Sequence, residues 1–220
     1  DCTTESCSSL HFEPTSYVDF GGAVALIQPD DALTFETWVR WDGGWAALAN
    51  YAQVVVGTIT SHTSGGWNIA LEEAQRWQLN VRTESDSVAL GLGTESAVAG
   101  QWVHLAATVD DGASTALFVN GQRVEVMATD ALSFDGSERL WMGNQADHGD
   151  AYRQFEGQVF SARLSSTVKY DADFLPETIL GLDEDTLAFW DFSDVTPTTV
   201  PDASGQGHDG ERMGGTVVGE

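Results

Sequence analysis

The sequence predicts an all-β protein, and more specifically a two-sheet antiparallel β-sandwich of the jelly-roll kind. Segments with alternating apolar and polar residues recur along the chain, and this period of two is typical of strands with one buried face. Turn-forming glycine, aspartate, asparagine and serine residues separate the segments. Helical patterns are scarce by comparison, so the pattern favours a sandwich.

Seven strands are predicted in the first half of the chain. The clearest is 33–41, in which the odd positions are largely apolar and the even positions include Glu36, Trp38 and Arg40. Alternate residues of a strand point to opposite faces, so these three side chains are expected on the outer face. The other predicted strands are 10–12, 17–20, 54–61, 67–71, 77–83 and 88–92.

The second half of the chain begins with a predicted strand at 102–109, whose alternation directs His104 outward. A surface imidazole is therefore expected there. Asn120 and Gly121 lie between two further segments, and Asn-Gly in that position is the strongest short signal for a β-hairpin. The remaining predicted strands are 116–119, 123–127, 140–142, 157–164, 187–192 and a piece near 211–213.

About a dozen strands without a long linker predict a single domain over residues 9–213. Residues 1–8 are expected to form an N-terminal extension and residues 214–220 a flexible, glycine-rich tail. The two cysteines, Cys2 and Cys7, both lie in the extension. Two interpretations of this pair stay open: a small local disulfide in an exported protein, and two free thiols. A Cys/His metal site is not expected, because four such ligands at usable spacing are absent.

The chain of 220 residues is strongly acidic, with 34 acidic and nine basic side chains and a formal net charge of −25. Nucleic acid and anionic membrane surfaces are polyanions, so neither is an expected partner. No run of about 18 apolar residues is present, and no membrane-inserted segment is predicted. A hydrated anionic surface suits a secreted or cell-surface protein, and this is the location we expect.

Several phrases of the sequence resemble bacterial laminin-G-like domains, which are concanavalin-A-like lectin/glucanase jelly rolls related to pentraxins. The phrases are LTFETWVRWD at 33–42, GQWVHLAATVDDGASTALFVNGQRV at 100–124, LWMGNQADHGDAYRQFEGQVFSARLSSTVKY at 140–170 and LAFWDFSDVTPTTVPDASGQGHDG at 187–210. Together they cover most of the chain in the order that the family uses. The resemblance implies the sandwich fold, but the fold hosts lectins, adhesion modules and enzymes alike.

Patterns of catalytic residues are absent from the sequence. The glucanases of the resembled superfamily carry E-x-D-x-x-E on one strand, and no such run occurs here. The Asp-Glu pair that the family places in its IDEVRI block is missing from QVFSARL at 158–164. The acidic segment 182–185 is expected to be a solvated loop. We therefore expect a protein that is not an enzyme.

Calcium is the expected cofactor, because it binds six to eight oxygen atoms and acidic, glycine-rich turns supply them. The segment 202–210 offers Asp202 and Asp209 just after a predicted strand. The resemblance implies a structural calcium at such an end of the sandwich. Asp19 would reach the same ion if the first and last strands pair. The alternative is a turn capped by aspartate without a metal.

A second candidate calcium site lies in the predicted rim loops. Asp110 ends one strand, and Asp147 and Asp150 lie in the long segment GNQADHGDAYRQ. Laminin-G and pentraxin relatives place a ligand-associated calcium on rim loops, so the resemblance implies such a site here. The alternative is that these turns are solvated acidic loops.

Sugar recognition requires aromatic faces that stack on pyranose rings, together with planar amide, carboxylate or guanidinium groups. Trp102 and Trp190 are expected in the core. A carboxylated or sulfated glycan would fit this anionic chain only if Arg40, Arg82 and Arg153 cluster or calcium bridges it. The predicted ligand-binding residues are Trp45, Tyr152, Asn144, Arg153, Trp38 and Arg40; Trp67, Trp77 and Trp141 are further aromatic candidates.

We therefore predict a secreted, non-catalytic bacterial binding module that recognises a carbohydrate and is stabilised by calcium. Its partner would be a glycan or an extracellular protein, and the sequence does not determine the oligomeric state. The first alternative is a structural or adhesion module of a larger surface protein with no small ligand. A glycan-active enzyme is the third hypothesis.

Overall fold

The computed structural model describes residues 8–22, 26, 32–45, 52–59, 65–83, 87–90, 96–134, 136–145, 153–214 and 217–219. The strands in chain order are β1 (Ser9–Phe12), β2 (Tyr17–Asp19), β3 (Ala32–Trp41), β4 (Ala52–Gly57), β5 (Gly66–Glu72), β6 (Trp77–Arg82), β7 (Ser87–Leu90), β8 (Trp102–Asp110), β9 (Ser114–Val119), β10 (Gln122–Ala128), β11 (Trp141–Met142), β12 (Gly157–Ser165), β13 (Thr186–Trp190), β14 (Thr199–Val200), β15 (Gly210–Met213) and β16 (Val217–Gly219).

The strands form two eight-stranded sheets, and the described strands pair with one another in antiparallel fashion. The first sheet has the order β10-β9-β8-β3-β12-β1-β16, and β13 also pairs with β12. The second sheet has the order β14-β15-β2-β11-β4-β5-β6-β7. The predicted all-β sandwich is thus confirmed. Among the described residues, no helix is long and apolar enough to cross a membrane.

The main core lies between the two sheets and follows the alternation of the strands. In β6, Trp77, Leu79 and Val81 are buried, whereas the residues between them are half-buried. Phe35 from the first sheet packs against Trp67 from the second, with ring centroids 5.4 Å apart. Burial of these large apolar side chains supplies most of the free energy that holds the sheets together. Trp190 is fully buried, as predicted.

The outer face of the first sheet is covered by residues 166–185, a segment that we call the strap. Within the strap, Tyr170 stacks on Phe174 at 3.5 Å, and both rings pack against Phe118 of β9. The strap meets the β9–β10 hairpin at Gly121, whose backbone oxygen accepts a hydrogen bond from the Phe174 nitrogen at 2.8 Å. Gly121 has φ 74°, and a Cβ there would collide with the strap backbone. The turn and the close approach both require glycine.

The strap overturns one prediction about the outer face. His104 is 0% exposed rather than at the surface, because the strap lies over it. Glu36 is 1% exposed for the same reason. The expectation that Trp102 belongs to the core was also wrong. Val103 points inward, so the alternation of β8 places Trp102 on the outer face, half-buried beneath Arg40.

The chain end forms a strand, so the predicted flexible tail at 214–220 is wrong for β16. Its backbone pairs with β1 in the register Leu10↔Val218. Two consecutive valines have high strand propensity, and β1 offers them a free edge next to β12. Sequence analysis also missed the two-residue β14, which pairs with β15. The extension at 1–7, with Cys2 and Cys7, lies outside the described residues.

Candidate functional site

The outer face of the second sheet carries a row of polar and aromatic side chains. Trp67 and Ile69 of β5 point into the core, so Asn68 between them points outward. The same alternation directs Asn80 and Arg82 of β6 outward. This face is the one opposite the strap, which lies on the first sheet.

The strand register aligns one residue from each of five adjacent strands across this face. The pairing Asp19↔Trp141 joins β2 to β11, and Trp141↔Gly57 joins β11 to β4. Gly57 pairs with Asn68, and Asn68 pairs with Asn80. We call these five residues the central row. Gly57 has no side chain, and a Cβ there would collide with Asn68, so nothing projects between Trp141 and Asn68.

One end of the central row is aromatic. Tyr17 of β2 contacts Trp141 edge to face, with ring centroids 5.3 Å apart, and both side chains are half-buried. The guanidinium of Arg139 lies 5.6 Å from the Trp141 ring, and its Nη2 donates to Asp19 Oδ2 at 2.6 Å. The hydrogen bond from Arg139 to Asp19 raises the pKa of Arg139. The cation–π contact of Arg139 with Trp141 and the ion pair of Arg139 with Asp19 together hold the indole in place.

The other end of the central row combines amides with arginines. Asn80 Nδ2 donates to Asn68 Oδ1 at 2.8 Å, which fixes the orientation of both amides. Arg153 has φ 58°, and its Nη1 donates to Gln145 Oε1 at 2.9 Å. Burial lowers the pKa of Arg82, and the charge of Arg153 lowers it further.

The predicted ligand-binding residues do not form one cluster. Arg153 lies at the outer face of the second sheet, and Asn144 near it is buried with no hydrogen-bond partner for its Oδ1 among the described residues. Trp38 lies under the strap, where its Nε1 donates to the Glu177 oxygen at 2.9 Å. Arg40 is also on the first sheet. Of the others, Trp45, Trp67 and Trp77 pack in or against the core, and Tyr152 lies outside the described residues.

The aspartates predicted to bind calcium are placed as follows. Asp202 Oδ1 accepts hydrogen bonds from the Phe189 and Ser204 nitrogens, and its Oδ2 accepts from the Ser204 hydroxyl and the His208 nitrogen. Asp209 Oδ1 accepts from the Asp202 nitrogen at 2.8 Å. These donors occupy the lone pairs that a cation would need, so the 202–210 loop fits the metal-free alternative better than a calcium site.

The remaining acidic candidates are not gathered at one point. The strand of Asp19 does pair with a strand near the chain end, since Asp19 of β2 pairs with Glu211 of β15. The Asp19 carboxylate, however, is held by Arg139. Asp110 is exposed at the end of β8. Asp147 and Asp150 lie outside the described residues. In the part of the chain that the structure describes, no three His, Cys, Asp or Glu side chains are grouped to hold a metal ion.

A buried acid–base cluster lies under the strap. Arg163 donates to Glu36 Oε1 from Nη2 at 2.6 Å and from Nε at 2.9 Å. Tyr170 donates its hydroxyl proton to Glu36 Oε2 at 2.9 Å, and His104 Nε2 lies 3.2 Å from the same oxygen. Asp183 of the acidic segment 182–185 pairs with Lys169 at 2.6 Å rather than facing solvent freely. These carboxylates hold the strap to the sheet, because Tyr170 of the strap donates to Glu36 and Arg163 Nη1 of β12 donates to Asp183 Oδ2 at 3.3 Å.

Four residues at the outer face were missed by sequence reasoning. Asn68 and Asn80 occupy outward positions of predicted strands, and their shared phase was a usable signal. The contacts of Tyr17 and Arg139 with Trp141 were not accessible from the sequence, because the strand register that brings them together is set by pairing between distant segments.

Comparisons with solved structures show the same fold in several proteins. A Bacteroides ovatus protein to which carbohydrate binding has been attributed superposes with a TM-score of 0.71 at 16% identity. The match covers 97% of this chain and 59% of the other, so this chain spans little more than half of that protein's length. At such identity the likeness shows the fold alone.

Two further structures illustrate the range of the fold. A heptameric SAP-like pentraxin from Limulus polyphemus matches with a TM-score of 0.54 and 11% identity, covering 100% of this chain and 97% of the pentraxin. The CBM40 module of the Ruminococcus gnavus IT-sialidase, bound to α2,3-sialyllactose, matches with a TM-score of 0.53 and 12% identity. That match covers 64% of this chain and 79% of the module.

Sequence comparison supplies the family. No curated protein matches the chain. A laminin G family model, described as the concanavalin A-like lectin/glucanases superfamily, matches residues 12–173. This range covers more than half of the chain. It contains three of the four phrases that carried the resemblance. The chain therefore belongs to the laminin-G-like family of the concanavalin A-like lectin/glucanases superfamily.

Proposed function

We propose that the protein is a non-catalytic carbohydrate-binding module whose ligand lies on the outer face of the second sheet. The observation that carries this proposal is the central row, where the half-buried indole of Trp141 shares a face with the half-buried Asn80, whose amide is oriented by the buried Asn68. Aromatic rings bind the C–H faces of sugars, and planar amides bind their hydroxyl groups. A rigid sheet holds both kinds of group in fixed positions.

The structural likenesses support the same function. The Bacteroides ovatus protein has had carbohydrate binding attributed to it, and the Ruminococcus gnavus module holds a sialylated sugar. The non-catalytic part of the proposal is supported by the engagement of Glu36, which is buried with Arg163 and His104 beneath the strap. Secretion to the bacterial exterior stays a prediction from composition.

Replacing Trp141 with alanine should weaken glycan binding by about tenfold or more, because loss of a stacked aromatic anchor costs roughly 1.5–2 kcal/mol. Binding to a glycan array, followed by calorimetry on the best ligand, measures the change. Trp102→Ala is the matched control, since Trp102 is also half-buried but lies on the opposite sheet. Equal losses in both variants would contradict the proposed site. An array without any bound glycan would favour the adhesion module instead.

Calcium stabilisation is a separate proposal that stays a prediction from the acidic loops. Asp202 and Asp19 are engaged by hydrogen-bond donors, so the rim aspartates Asp110, Asp147 and Asp150 are the remaining candidates. An ion that binds only the native state stabilises it. Exchange of calcium for EGTA should then lower the melting temperature, and Asp110→Asn should reduce that difference. An unchanged melting temperature would contradict calcium binding.

A further inference from the structure

We propose that the outer surface of the strap is a docking site for a segment of another protein, one that carries apolar side chains next to lysine or arginine. Among the residues that the structure describes, six large apolar side chains are exposed, and four of them belong to the strap. They are Val168, Leu175, Ile179 and Leu182. We call the last three the strap patch. It lies on the opposite side of the sandwich from the proposed glycan site.

The strap divides its apolar side chains between two sides. Phe174 packs against β9, and Leu180 is buried. Leu175, Ile179 and Leu182 face away from the sheet and are 93%, 48% and 55% exposed, respectively. A single exposed apolar side chain is ordinary, but several on one short segment mark an interaction surface.

The strap patch is compact because its chain segment curls around one guanidinium group. Arg163 Nη1 donates to the Gly181 oxygen and lies 3.9 Å from Glu177 Oε2. The same nitrogen donates to Asp183 Oδ2 at 3.3 Å. These three residues of the strap are therefore held around one atom. The loop between them carries two members of the strap patch, and the third lies two residues before it.

The backbone beneath the strap patch is fixed to the first sheet. Trp38 Nε1 donates to the Glu177 oxygen at 2.9 Å, and the Phe174 nitrogen donates to the Gly121 oxygen at 2.8 Å. The buried Leu180 anchors the loop between two exposed members of the patch. A surface that is already ordered loses less conformational entropy on binding than a flexible loop does. The strap patch is thus preformed for docking.

The surroundings of the strap patch are anionic. The strap contains six acidic residues and one lysine, and Lys169 is held by two of those acids at 2.6 and 3.6 Å. Asp171 and Glu184 are exposed, and their carboxylates form no ion pair within the described part of the chain. The neighbouring Arg123 donates to the Asp171 backbone oxygen. A partner with positive charge around its apolar side chains is attracted to such a surface.

The same charge disfavours other occupants of the strap patch. A second copy of the chain would place two anionic straps face to face, in a protein whose net charge is −25. An anionic membrane surface would be repelled in the same way. Sugars stack on flat aromatic faces, whereas this patch consists of aliphatic side chains. A protein segment that combines apolar residues with lysine or arginine satisfies both the patch and its charge.

The test is selection of a displayed library of random linear peptides against the protein, followed by fluorescence anisotropy with the enriched peptides. The enriched peptides should combine apolar residues with lysine or arginine. Leu175→Ser and Leu182→Ser should each weaken their binding by about tenfold, because each removes an apolar contact. Val98→Ser is the matched control, since Val98 is 52% exposed but lies outside the strap. This variant should bind the peptides as the parent does.

A second pair of variants separates the strap from the overall charge of the chain. Glu184→Gln removes an exposed charge beside the strap patch and should weaken peptide binding about threefold at low salt. Glu73→Gln removes an exposed charge from the turn between β5 and β6 and should leave binding unchanged. Melting curves of each variant establish that it is folded.

The outcomes that would overturn the docking site are distinct. They are equal losses in the Leu175 and Val98 variants, enrichment of acidic or uncharged peptides, and a library without any enriched peptide. A concentration-dependent dimer that Leu175→Ser dissociates would also overturn it, because a second copy would then occupy the patch. Glycan binding by Leu175→Ser should equal that of the parent, so this inference and the proposed function can fail separately.

Discussion

Replacement of Glu36 by alanine is expected to destabilise the protein by about 3–5 kcal/mol, because it breaks a buried ion pair and leaves Arg163 with only the more exposed Asp183 and Glu177 as anionic neighbours. The two Arg163 nitrogens that bind Glu36 lie 2.6 and 2.9 Å from it, and the side chains are 5% and 1% exposed. The Tyr170 hydroxyl and His104 Nε2 would lose the same acceptor. Unfolding in urea, followed by tryptophan fluorescence, measures the loss.

Glu177→Gln is the matched control for this prediction. Glu177 also faces Arg163, at 3.9 Å, but its side chain is 60% exposed. Exposed ion pairs contribute less than about 1 kcal/mol, so this variant should be nearly as stable as the parent. A combined Glu36→Met, Arg163→Met variant should recover part of the loss, because it leaves no buried charge unpaired. Similar effects of the Glu36 and Glu177 changes would contradict this account of the cluster.

The Glu36 cluster also predicts a pH dependence. Burial opposes the charge on Glu36, but the His104 hydrogen bond and the charge and hydrogen bonds of Arg163 outweigh it and lower the pKa. A lowered pKa in the folded state contributes stability that is fully present above the unfolded value of 4.5 and is lost as the pH falls through the folded value. Glu36→Gln should remove this part of the acid sensitivity, so its stability should fall less steeply below pH 4.5.

Asp202→Asn is expected to destabilise the protein by about 2–3 kcal/mol through the 202–210 loop. The Asp202 carboxylate accepts four hydrogen bonds, all from N–H or O–H donors. An asparagine keeps one acceptor oxygen and turns a donor NH2 toward the remaining donors, which leaves buried polar groups unsatisfied. These bonds tie the loop to Phe189 of β13, so their loss should loosen the last strands of the second sheet. Hydrogen exchange of β14 and β15 locates the effect.

Asp209→Asn provides the matched control in the same loop. Asp209 accepts the Asp202 N–H through Oδ1, and an asparagine Oδ1 accepts it equally well. This variant should be within about 0.5 kcal/mol of the parent. The hydrogen bonds that Asp202 accepts outweigh the effect of its burial and lower the pKa of Asp202. The stability that the Asp202 carboxylate contributes is therefore also lost at acid pH. If Asp209→Asn were as damaging as Asp202→Asn, the loop would be held by charge rather than by directed hydrogen bonds.

Strand positions were predictable because each strand has its own alternation. The predicted segment 77–83 became β6, and 102–109 became β8 with Val103, Leu105, Ala107 and Val109 inward as expected. The errors concern which face of a sheet is covered by another segment of the chain. Glu36 and His104 were assigned correctly to the outer face of their strands, but the outer face of this sheet is not solvent. A polar residue at an outward position shows only which face of the sheet it lies on. The same alternation occurs whether that face is exposed to water or covered by another segment.

The candidate site was only partly predictable. Arg82, Arg153 and Trp141 were among the residue types suited to a sugar, and the charge of the chain implied that only clustered arginines would take an acidic one. Their grouping required the register of β2, β11, β4, β5 and β6. Arg40, which has the same chemistry, lies on the other sheet. The sequence showed which residues have side chains suited to a sugar, but it did not show which of them lie next to one another.

The sequence alone determined the sandwich, the phase of its main strands and the acidic surface, because each follows from local alternation, turn residues or composition. The family followed from the resemblance of its phrases to laminin-G-like domains. Only the tertiary structure decided that the strap covers the first sheet and which residues share the outer face of the second sheet. Those facts depend on contacts between distant segments: Glu36 and Arg163 are 127 residues apart, and Trp141 pairs with Asp19. Non-local pairing is chosen by the free energy of the whole fold, and no single segment carries it.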